Sequence, residues 1–154
     1  MFRLKRSKPI PEITTSSLYD ESTFYQAFIN DLKMSKEEVI IESPFISPLR
    51  MDNLMPILQN ILSRGIKICV ITRNPIEHDE NFRYKVTEEI LRCSELELKI
   101  ISEMGNHHRK LAIIDKTILW EGSLNILSQS YSKEIMKRIE SKHIVAQLLS
   151  FLKN

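Results

Sequence analysis

The chain alternates between blocks of helical hydrophobic spacing and short, continuous apolar runs. Apolar residues three and four apart predict amphipathic helices, whereas uninterrupted apolar runs predict strands that are buried on both faces. The predicted helices cover residues 22–34, 52–64 and 79–93, and the predicted strands cover residues 39–41, 66–71 and 96–100. The last of these strands alternates apolar and charged residues, as expected near a sheet edge. This order is typical of an α/β sandwich with parallel strands.

The last third of the chain has a different pattern. Two apolar runs, Leu111–Ile114 and Ile118–Trp120, are separated by Asp115-Lys116-Thr117, which predicts a tight turn between paired strands. A further strand is predicted around Glu134–Ile139 and a closing helix around residues 142–153. The expected fold class is therefore a three-layer α/β/α sandwich with a mixed, mainly parallel sheet.

Residues 1–20 differ from the rest of the chain. They are polar and basic and include Pro9, Pro11 and the run Thr14–Ser17, which predicts an arm or irregular lead-in. No linker or repeat follows, so residues 21–154 are expected to form one catalytic domain. Neither an apolar stretch nor a small-residue cleavage site follows the basic residues. We therefore expect no signal peptide and a cytoplasmic location.

Composition restricts the class of protein but not its activity. With 42% apolar and 27% charged residues, the chain resembles an ordinary soluble globular protein. Its net charge of +2 is too small to indicate a polyanion-binding surface by itself. Cys69 and Cys93 lie inside predicted elements and form no CxxC pair, so buried free thiols are expected.

The candidate chemistry lies in two short motifs. His108 and Lys110 stand two apart at the start of one predicted strand, so their side chains point to the same face of that strand. Ser123 and Asn125 stand two apart where the next strand ends. If the two strands pair, residue 108 falls opposite roughly residues 123–125. An imidazole, an ammonium group, a hydroxyl and a carboxamide would then form a suitable receptor for a tetrahedral, anionic phosphoryl group.

The spacing of these residues resembles the HxKxxxxD…GSxN signature of the phospholipase D superfamily. Agreement is complete at all six signature positions, which are His108, Lys110, Asp115, Gly122, Ser123 and Asn125. The length is similar to that of short, single-motif members, such as bacterial phospholipase D-like nucleases. Comparable nuclease modules are attached to some restriction enzymes and helicases. The resemblance therefore implies a phosphodiesterase, and its length favours an endonuclease.

This resemblance implies a role for each motif residue. His108 is implied to attack phosphorus and form a covalent phosphohistidine, which divides one difficult displacement into two easier ones. Lys110 and Asn125 are implied to hold the non-bridging oxygens, and Ser123 to support the phosphate. Asp115 is implied to be structural, anchoring the motif without touching substrate.

A glutamate, a second histidine and a partner chain are also implied. Many superfamily members have a glutamate about a dozen residues after the GSxN motif, bonded to the histidine ring, and Glu134 is the candidate here. The implied mechanism needs no metal ion and no cofactor. A second histidine protonates the leaving oxygen and later activates water. Because this chain has one motif, the resemblance implies an isologous homodimer in which the partner's His108 has that role.

The expected substrate is nucleic acid, with DNA favoured over RNA. The resemblance also allows a helicase or restriction-type assembly as a partner. The basic N-terminus, and the lack of an evident exposed apolar element in the sequence, favour nucleic acid over a membrane lipid. Two alternatives stay open. A phospholipase or phosphatidyl transferase predicts an apolar groove or interfacial helix near the site. A DNA-binding module without turnover predicts salt-sensitive binding with no covalent intermediate.

Other conspicuous residues have ordinary interpretations. His107 adjoins His108, but neighbouring residues of a strand point to opposite faces, so a shared metal site is not expected. His78 and His143 lie in polar surroundings and are expected to be exposed to solvent. Trp120 lies in an apolar run and is expected in the core.

Overall fold

The computed structural model describes residues 14–128 and 131–152, in which strands and helices alternate as far as the fourth strand, three further strands follow, and a helix closes the chain. The strands are β1 (Thr15–Asp20), β2 (Glu38–Glu42), β3 (Lys67–Arg73), β4 (Lys99–Glu103), β5 (Leu111–Ile114), β6 (Ile118–Gly122) and β7 (Ile135–Glu140). The helices are α1 (Phe24–Lys33), α2 (Pro48–Ser63), α3 (Glu80–Glu95) and α4 (Lys142–Leu152), with a short 3-10 helix at Pro75–Glu77.

The strands form one sheet in the order β1-β7-β6-β5-β2-β3-β4. The predicted three-layer α/β sandwich with a mixed sheet is confirmed. The prediction of mainly parallel pairing is wrong, because four of the six neighbouring pairs in the described chain are antiparallel. In the described chain, the neighbouring strands joined through crossover helices, which parallel pairing requires, are β2–β3 and β3–β4. β5 and β6 are joined by a hairpin, which makes them antiparallel.

Side-chain alternation along the strands places hydrophobic cores on both faces of the sheet. The larger core contains side chains of α1, α2 and α3, and Trp120 is fully buried in it as predicted. The smaller core lies under α4, where Leu111 and Leu119 pack with Val145. All four residues of β5 are buried. The strand that begins next to the motif is therefore fixed from both faces.

Two predicted elements are present with different boundaries. α2 begins at Pro48 rather than at residue 52, because Ser47 caps it by accepting from the N–H of Arg50, and proline suits the first helical turn. β4 begins at Lys99 rather than at residue 96. The reason is that α3 extends to Glu95, after which the chain turns through the positive φ of Glu97 (66°).

The N-terminal segment contains a strand that the sequence pattern did not predict. Thr15–Asp20 pairs antiparallel with β7, so the irregular lead-in expected through residue 20 is wrong for these residues. Most of the strand is exposed, and its formation depends on a partner more than a hundred residues away, which a local pattern does not report. Residues 1–13 lie outside the described ranges, and the division into arm and domain stays a prediction.

The features expected from composition are found in part. Cys69 and Cys93 are both free thiols, but only Cys93 is buried, and Cys69 is half-buried. Burial raises the pKa of the Cys93 thiol to about 11. Of the helices in the described ranges, none combines the length and the apolar character needed to cross a membrane.

Candidate functional site

The β5–β6 hairpin aligns the two halves of the motif. β5 and β6 pair antiparallel with Leu111 opposite Glu121, and the N–H of Gly122 donates to the carbonyl oxygen of Lys110 at 3.3 Å. Continued in the same register, the pairing places His108 opposite residue 124, inside the predicted range of 123–125. The hairpin thus brings the HxK and GSxN segments to the same edge of the sheet.

Asp115 fastens the hairpin turn to the start of β2. Asp115 and Lys116 both have positive φ angles, 54° and 55°, as the central residues of a tight hairpin turn require. The carboxylate of Asp115 accepts hydrogen bonds from the backbone N–H groups of residues 36–38 at 2.8–3.1 Å. These contacts are those of a structural anchor. Asp115 lies at the opposite end of β5 from His108.

His108 and Lys110 lie side by side where β5 begins. The Nζ atom of Lys110 is 3.4 Å from Nδ1 of His108 and donates to the His108 carbonyl oxygen at 3.1 Å. The pKa of Lys110 is lowered, first by partial burial and then by the positive charge of Arg73, while Glu134 acts in the opposite direction. The imidazole of His108 is exposed to solvent, so a substrate can reach it.

Ser123 and Asn125 are held in the loop after β6. The N–H of Ser123 donates to the carbonyl oxygen of Ile135, and its Oγ accepts from the N–H of Ile135, both at 3.0 Å. The hydroxyl of Tyr25 donates to the carbonyl oxygen of Ile126 at 2.7 Å and fixes the next part of the loop. Within the described residues, the buried Oδ1 of Asn125 has no hydrogen-bond partner. Such a group is unusual in a folded interior and is often found where a ligand binds.

Gly122 is required by the close approach of β6 and β7. A Cβ atom at this position would overlap the carbonyl oxygen of Ile135 and the backbone of Met136. The glycine of the motif therefore lets β7 lie against the GSxN segment and hold Ser123. This explains a motif position that the sequence comparison with the superfamily left without a physical role.

A groove of about 500 Å³ begins beside His108 and runs between the β5–β6 hairpin and α4. Its lining combines motif residues (His108, Lys110 and Ser123) with three leucines (Leu111, Leu119 and Leu148). No apolar surface element near the motif was evident in the sequence, because the leucines come from three separate elements. A groove of the kind that the lipid alternative predicts is therefore present.

An ion pair between a buried carboxylate and a half-exposed arginine behind the motif was not predicted. Glu42, 1% exposed, accepts from Nε and Nη2 of Arg109 at 2.9 and 3.0 Å, and this bonding raises the pKa of Arg109. His107 is also buried, with Nε2 3.9 Å from Glu42 and Nδ1 3.4 Å from Glu103. The available signal was alternation, since residues 107 and 109 must face away from His108. In the described part of the chain, no group of three His, Cys, Asp or Glu side chains could hold a metal ion.

The sequence interpretation did not consider Arg73, at the end of β3, and wrongly expected His78, in the connection that follows, to be exposed. The Nε of Arg73 donates to the carbonyl oxygen of His107 at 3.1 Å. His78, expected to be exposed, is only 4% exposed, because the turn at Pro75–Glu77 folds it against the ring of Phe45 at 5.0 Å. Burial, and next the charge of Arg73, lower the pKa of His78.

Glu134 lies near the site without the predicted contact to the histidine ring. Its backbone N–H donates to the Glu21 carboxylate at 3.0 Å, and its charge favours the protonated form of Lys110. Among the residues that the structure describes, no hydrogen bond joins Glu134 to His108. Its electrostatic contact is therefore with Lys110, and a role toward His108 stays a prediction.

Solved structures share this fold. NucT from Helicobacter pylori is 18% identical, with a TM-score of 0.70 over 92% of this chain and 94% of its own. Nuc from Salmonella typhimurium, a phospholipase D family member, is 11% identical, with a TM-score of 0.75 over 92% and 93%. Phosphatidylserine synthase from Haemophilus influenzae Rd KW20 is 14% identical, with a TM-score of 0.75 over 96% of this chain and 40% of its own. Such low identities establish a common fold only.

The sequence itself determines the family. No curated protein matches it significantly. A family model described as "Cardiolipin synthase, PLD-like domain" matches residues 28–154, which is most of the chain. That range contains the complete HxKxxxxD…GSxN motif and all of the sheet except β1. The chain therefore belongs to the phospholipase D-like family.

Proposed function

We propose that the protein is a metal-independent phosphodiesterase that hydrolyses nucleic-acid phosphodiester bonds, with DNA as the first candidate. The observation that carries this proposal is the exposed imidazole of His108, which lies against the ammonium group of Lys110 and opposite the GSxN loop. A nucleophile, a fixed positive charge and neutral hydrogen-bonding groups are thus available to one phosphoryl group.

In the proposed reaction, an imidazole nitrogen of His108 attacks phosphorus as the bond to the leaving oxygen breaks. The partner's His108 gives its proton to that oxygen, which completes the first half-reaction. The same ring then removes a proton from water, and the resulting hydroxide displaces His108 from phosphorus. The products are a phosphate monoester, an alcohol and the regenerated histidine, so atoms and charges balance.

The neighbouring side chains suit the charge that develops on phosphorus. Lys110 supplies a positive charge whose position is fixed by its bond to the His108 carbonyl oxygen. The Asn125 carboxamide is half-buried in the loop after β6, and its N–H groups are the donors that would bind a non-bridging oxygen. Because these groups are in place before substrate arrives, they lose little free energy to reorganisation during the reaction.

The active unit in this proposal is an isologous homodimer. The chain supplies one His108, whereas the reaction uses one histidine as nucleophile and another as acid and base. A two-fold axis beside the end of β5 at which His108 lies would place both histidines against one phosphate. The partner's His108 would then differ from the first only in its protonation state.

The proposal is tested by the cleavage of single- and double-stranded DNA in excess EDTA. Wild type is expected to cleave, His108→Ala to lose at least about a thousandfold in rate, and His143→Ala, an exposed histidine on α4, to keep its rate. Loss of cleavage with EDTA would contradict the metal-free mechanism. Tight binding by both His108→Ala and wild type, without cleavage, would indicate a DNA-binding module.

One observation favours lipid phosphodiesters as a second candidate substrate. The groove beside His108 is also lined by Leu111, Leu119 and Leu148, which could accommodate an acyl chain next to the phosphoryl group. Hydrolysis of phosphatidylglycerol in mixed micelles would support this candidate if Leu148→Asp lowered it without lowering DNA cleavage. The lipid candidate fails if micelles are not hydrolysed at any enzyme concentration that cleaves DNA.

A further inference from the structure

Arg73 places a cation beside the backbone of the segment that carries His108 and Lys110. It is the last residue of β3 and is half-buried. Its Nε donates to the carbonyl oxygen of His107, the residue before the proposed nucleophile. The guanidinium carbon lies 5.1 Å from the centroid of the Phe45 ring, which supports it from one side.

The guanidinium group has unused hydrogen-bonding capacity. In residues 14–128 and 131–152, neither Nη1 nor Nη2 of Arg73 has a hydrogen-bond or ion-pair partner. Its cross-strand neighbour Glu103 approaches Nδ1 of His107 instead, at 3.4 Å. Glu42, the buried carboxylate nearby, is bound at both oxygens by Arg109. The local acidic groups are therefore directed to other residues, and Arg73 retains two donors.

The positive charge of Arg73 contributes, after burial, to the lowered pKa of Lys110, and the charge of Glu134 opposes it only in part. Keeping such a pair of cations costs stability unless a ligand supplies the missing negative charge. A phosphodiester carries one negative charge, and in the proposed dimer the Lys110 side chains of both protomers are assigned to the scissile phosphate. A further cation matches a substrate with a second phosphate, as in a nucleic-acid strand, whereas a lipid with one phosphodiester lacks that group.

We infer that Arg73 binds the backbone phosphate next to the scissile phosphate of a nucleic-acid strand. This inference rests on the proposed function, because it takes the phosphate at His108 as the one that is cleaved. Arg73 would then set the register of the strand in the site and favour polynucleotides over substrates with a single phosphate. It would act on binding and on the position of cleavage, and not on the chemical step.

The first experiment removes the charge of one neighbouring phosphate in the substrate. Short oligonucleotides carry a neutral methylphosphonate on the 5′ or the 3′ side of one linkage, and cleavage at that linkage is measured. Wild type is expected to lose about tenfold in kcat/KM for at least one of the two substrates, whereas Arg73→Gln loses less than about twofold. Arg64→Gln, which removes a charge at the remote end of α2, should show the wild-type loss. Arg73→Lys replaces Arg73→Gln if the latter does not fold, and should show an intermediate loss.

The second experiment does not depend on turnover. Binding of oligo(dT) to the His108→Ala protein is measured by fluorescence anisotropy over a range of KCl concentrations, with and without Arg73→Gln. Loss of one phosphate contact should lower the slope of log K against log salt by about 0.7, whereas Arg64→Gln should leave the slope unchanged.

The two experiments separate the inference from the proposed function. Equal methylphosphonate penalties in wild type and Arg73→Gln, on both sides, would overturn the inference while cleavage itself upheld the proposed function. If wild type cleaves no DNA, the proposed function fails, and the inference about Arg73 is then tested by the salt dependence of binding alone. An unchanged slope then overturns the inference, and a lowered slope supports Arg73 as a phosphate-binding residue.

Discussion

Glu42 and Arg109 form an ion pair whose two partners are buried to very different extents. The side chain of Glu42 is 1% exposed, whereas that of Arg109 is 49% exposed. Removal of the arginine leaves a charged carboxylate in the interior, where water does not solvate it. Removal of the carboxylate charge leaves an arginine that can turn toward water. The two single substitutions should therefore differ in their cost.

We expect Arg109→Met to lower the free energy of unfolding by about 3–5 kcal/mol and Glu42→Gln by about 1–2 kcal/mol. The double variant should recover part of the loss in Arg109→Met, because the unpaired charge is gone. Equilibrium urea unfolding measures all three. A larger loss in Glu42→Gln than in Arg109→Met would show that burial does not control this pair.

The motif residues could be predicted from the sequence, but the residues that surround them could not. His108, Lys110, Ser123 and Asn125 follow from strand alternation and from hairpin pairing, both of which are local. The pairing of Glu42 with Arg109 crosses between two strands that are far apart in sequence, and no local pattern reports it. Arg73 was missed for the same reason.

At the scale of elements, Asp115 joins two loops that are remote in sequence. Its carboxylate binds three consecutive backbone N–H groups of residues 36–38, so the β5–β6 turn is held against the connection from α1 to β2. Asp115 also has a positive φ, which asparagine tolerates better than alanine. Both properties make the residue type important in the turn.

Asp115→Asn is expected to lower the free energy of unfolding by about 1 kcal/mol, because one acceptor oxygen and the backbone preference remain. Asp115→Ala should cost about 2 kcal/mol, since both are lost. Glu37→Ala, an exposed acidic residue of the contacted loop, is the control and should change stability by less than about 0.5 kcal/mol. Thermal or urea unfolding measures these changes. Equal costs for asparagine and alanine would contradict the assigned role.

Helices and strands could be predicted from the sequence where their hydrophobic residues form a continuous run or recur at regular spacing. The apolar run Leu111–Ile114 predicted a strand, and the structure shows that strand covered by the cores on both faces. β1 escaped prediction because its residues are mostly exposed and its pairing with β7 supplies its stability. The antiparallel majority of the sheet was missed because hydrophobic spacing reports burial but not strand direction.

For the whole molecule, the central claim is that two copies of His108 act on one phosphate. In the described chain, His108 is exposed where β5 begins. The proposed reaction needs a nucleophile and a separate acid, and the proposal assigns the second role to the partner's His108. The number of intact histidines in each dimer should therefore determine the rate.

The most direct measurement is DNA cleavage in EDTA by a re-equilibrated, equimolar mixture of wild type and His108→Ala, at constant total protein. If both histidines are required, only dimers of two wild-type chains are active, and the rate should be about one quarter of the wild-type rate. If each chain acts alone, the rate should be about one half. A quarter supports the shared active site at His108, and a half contradicts it.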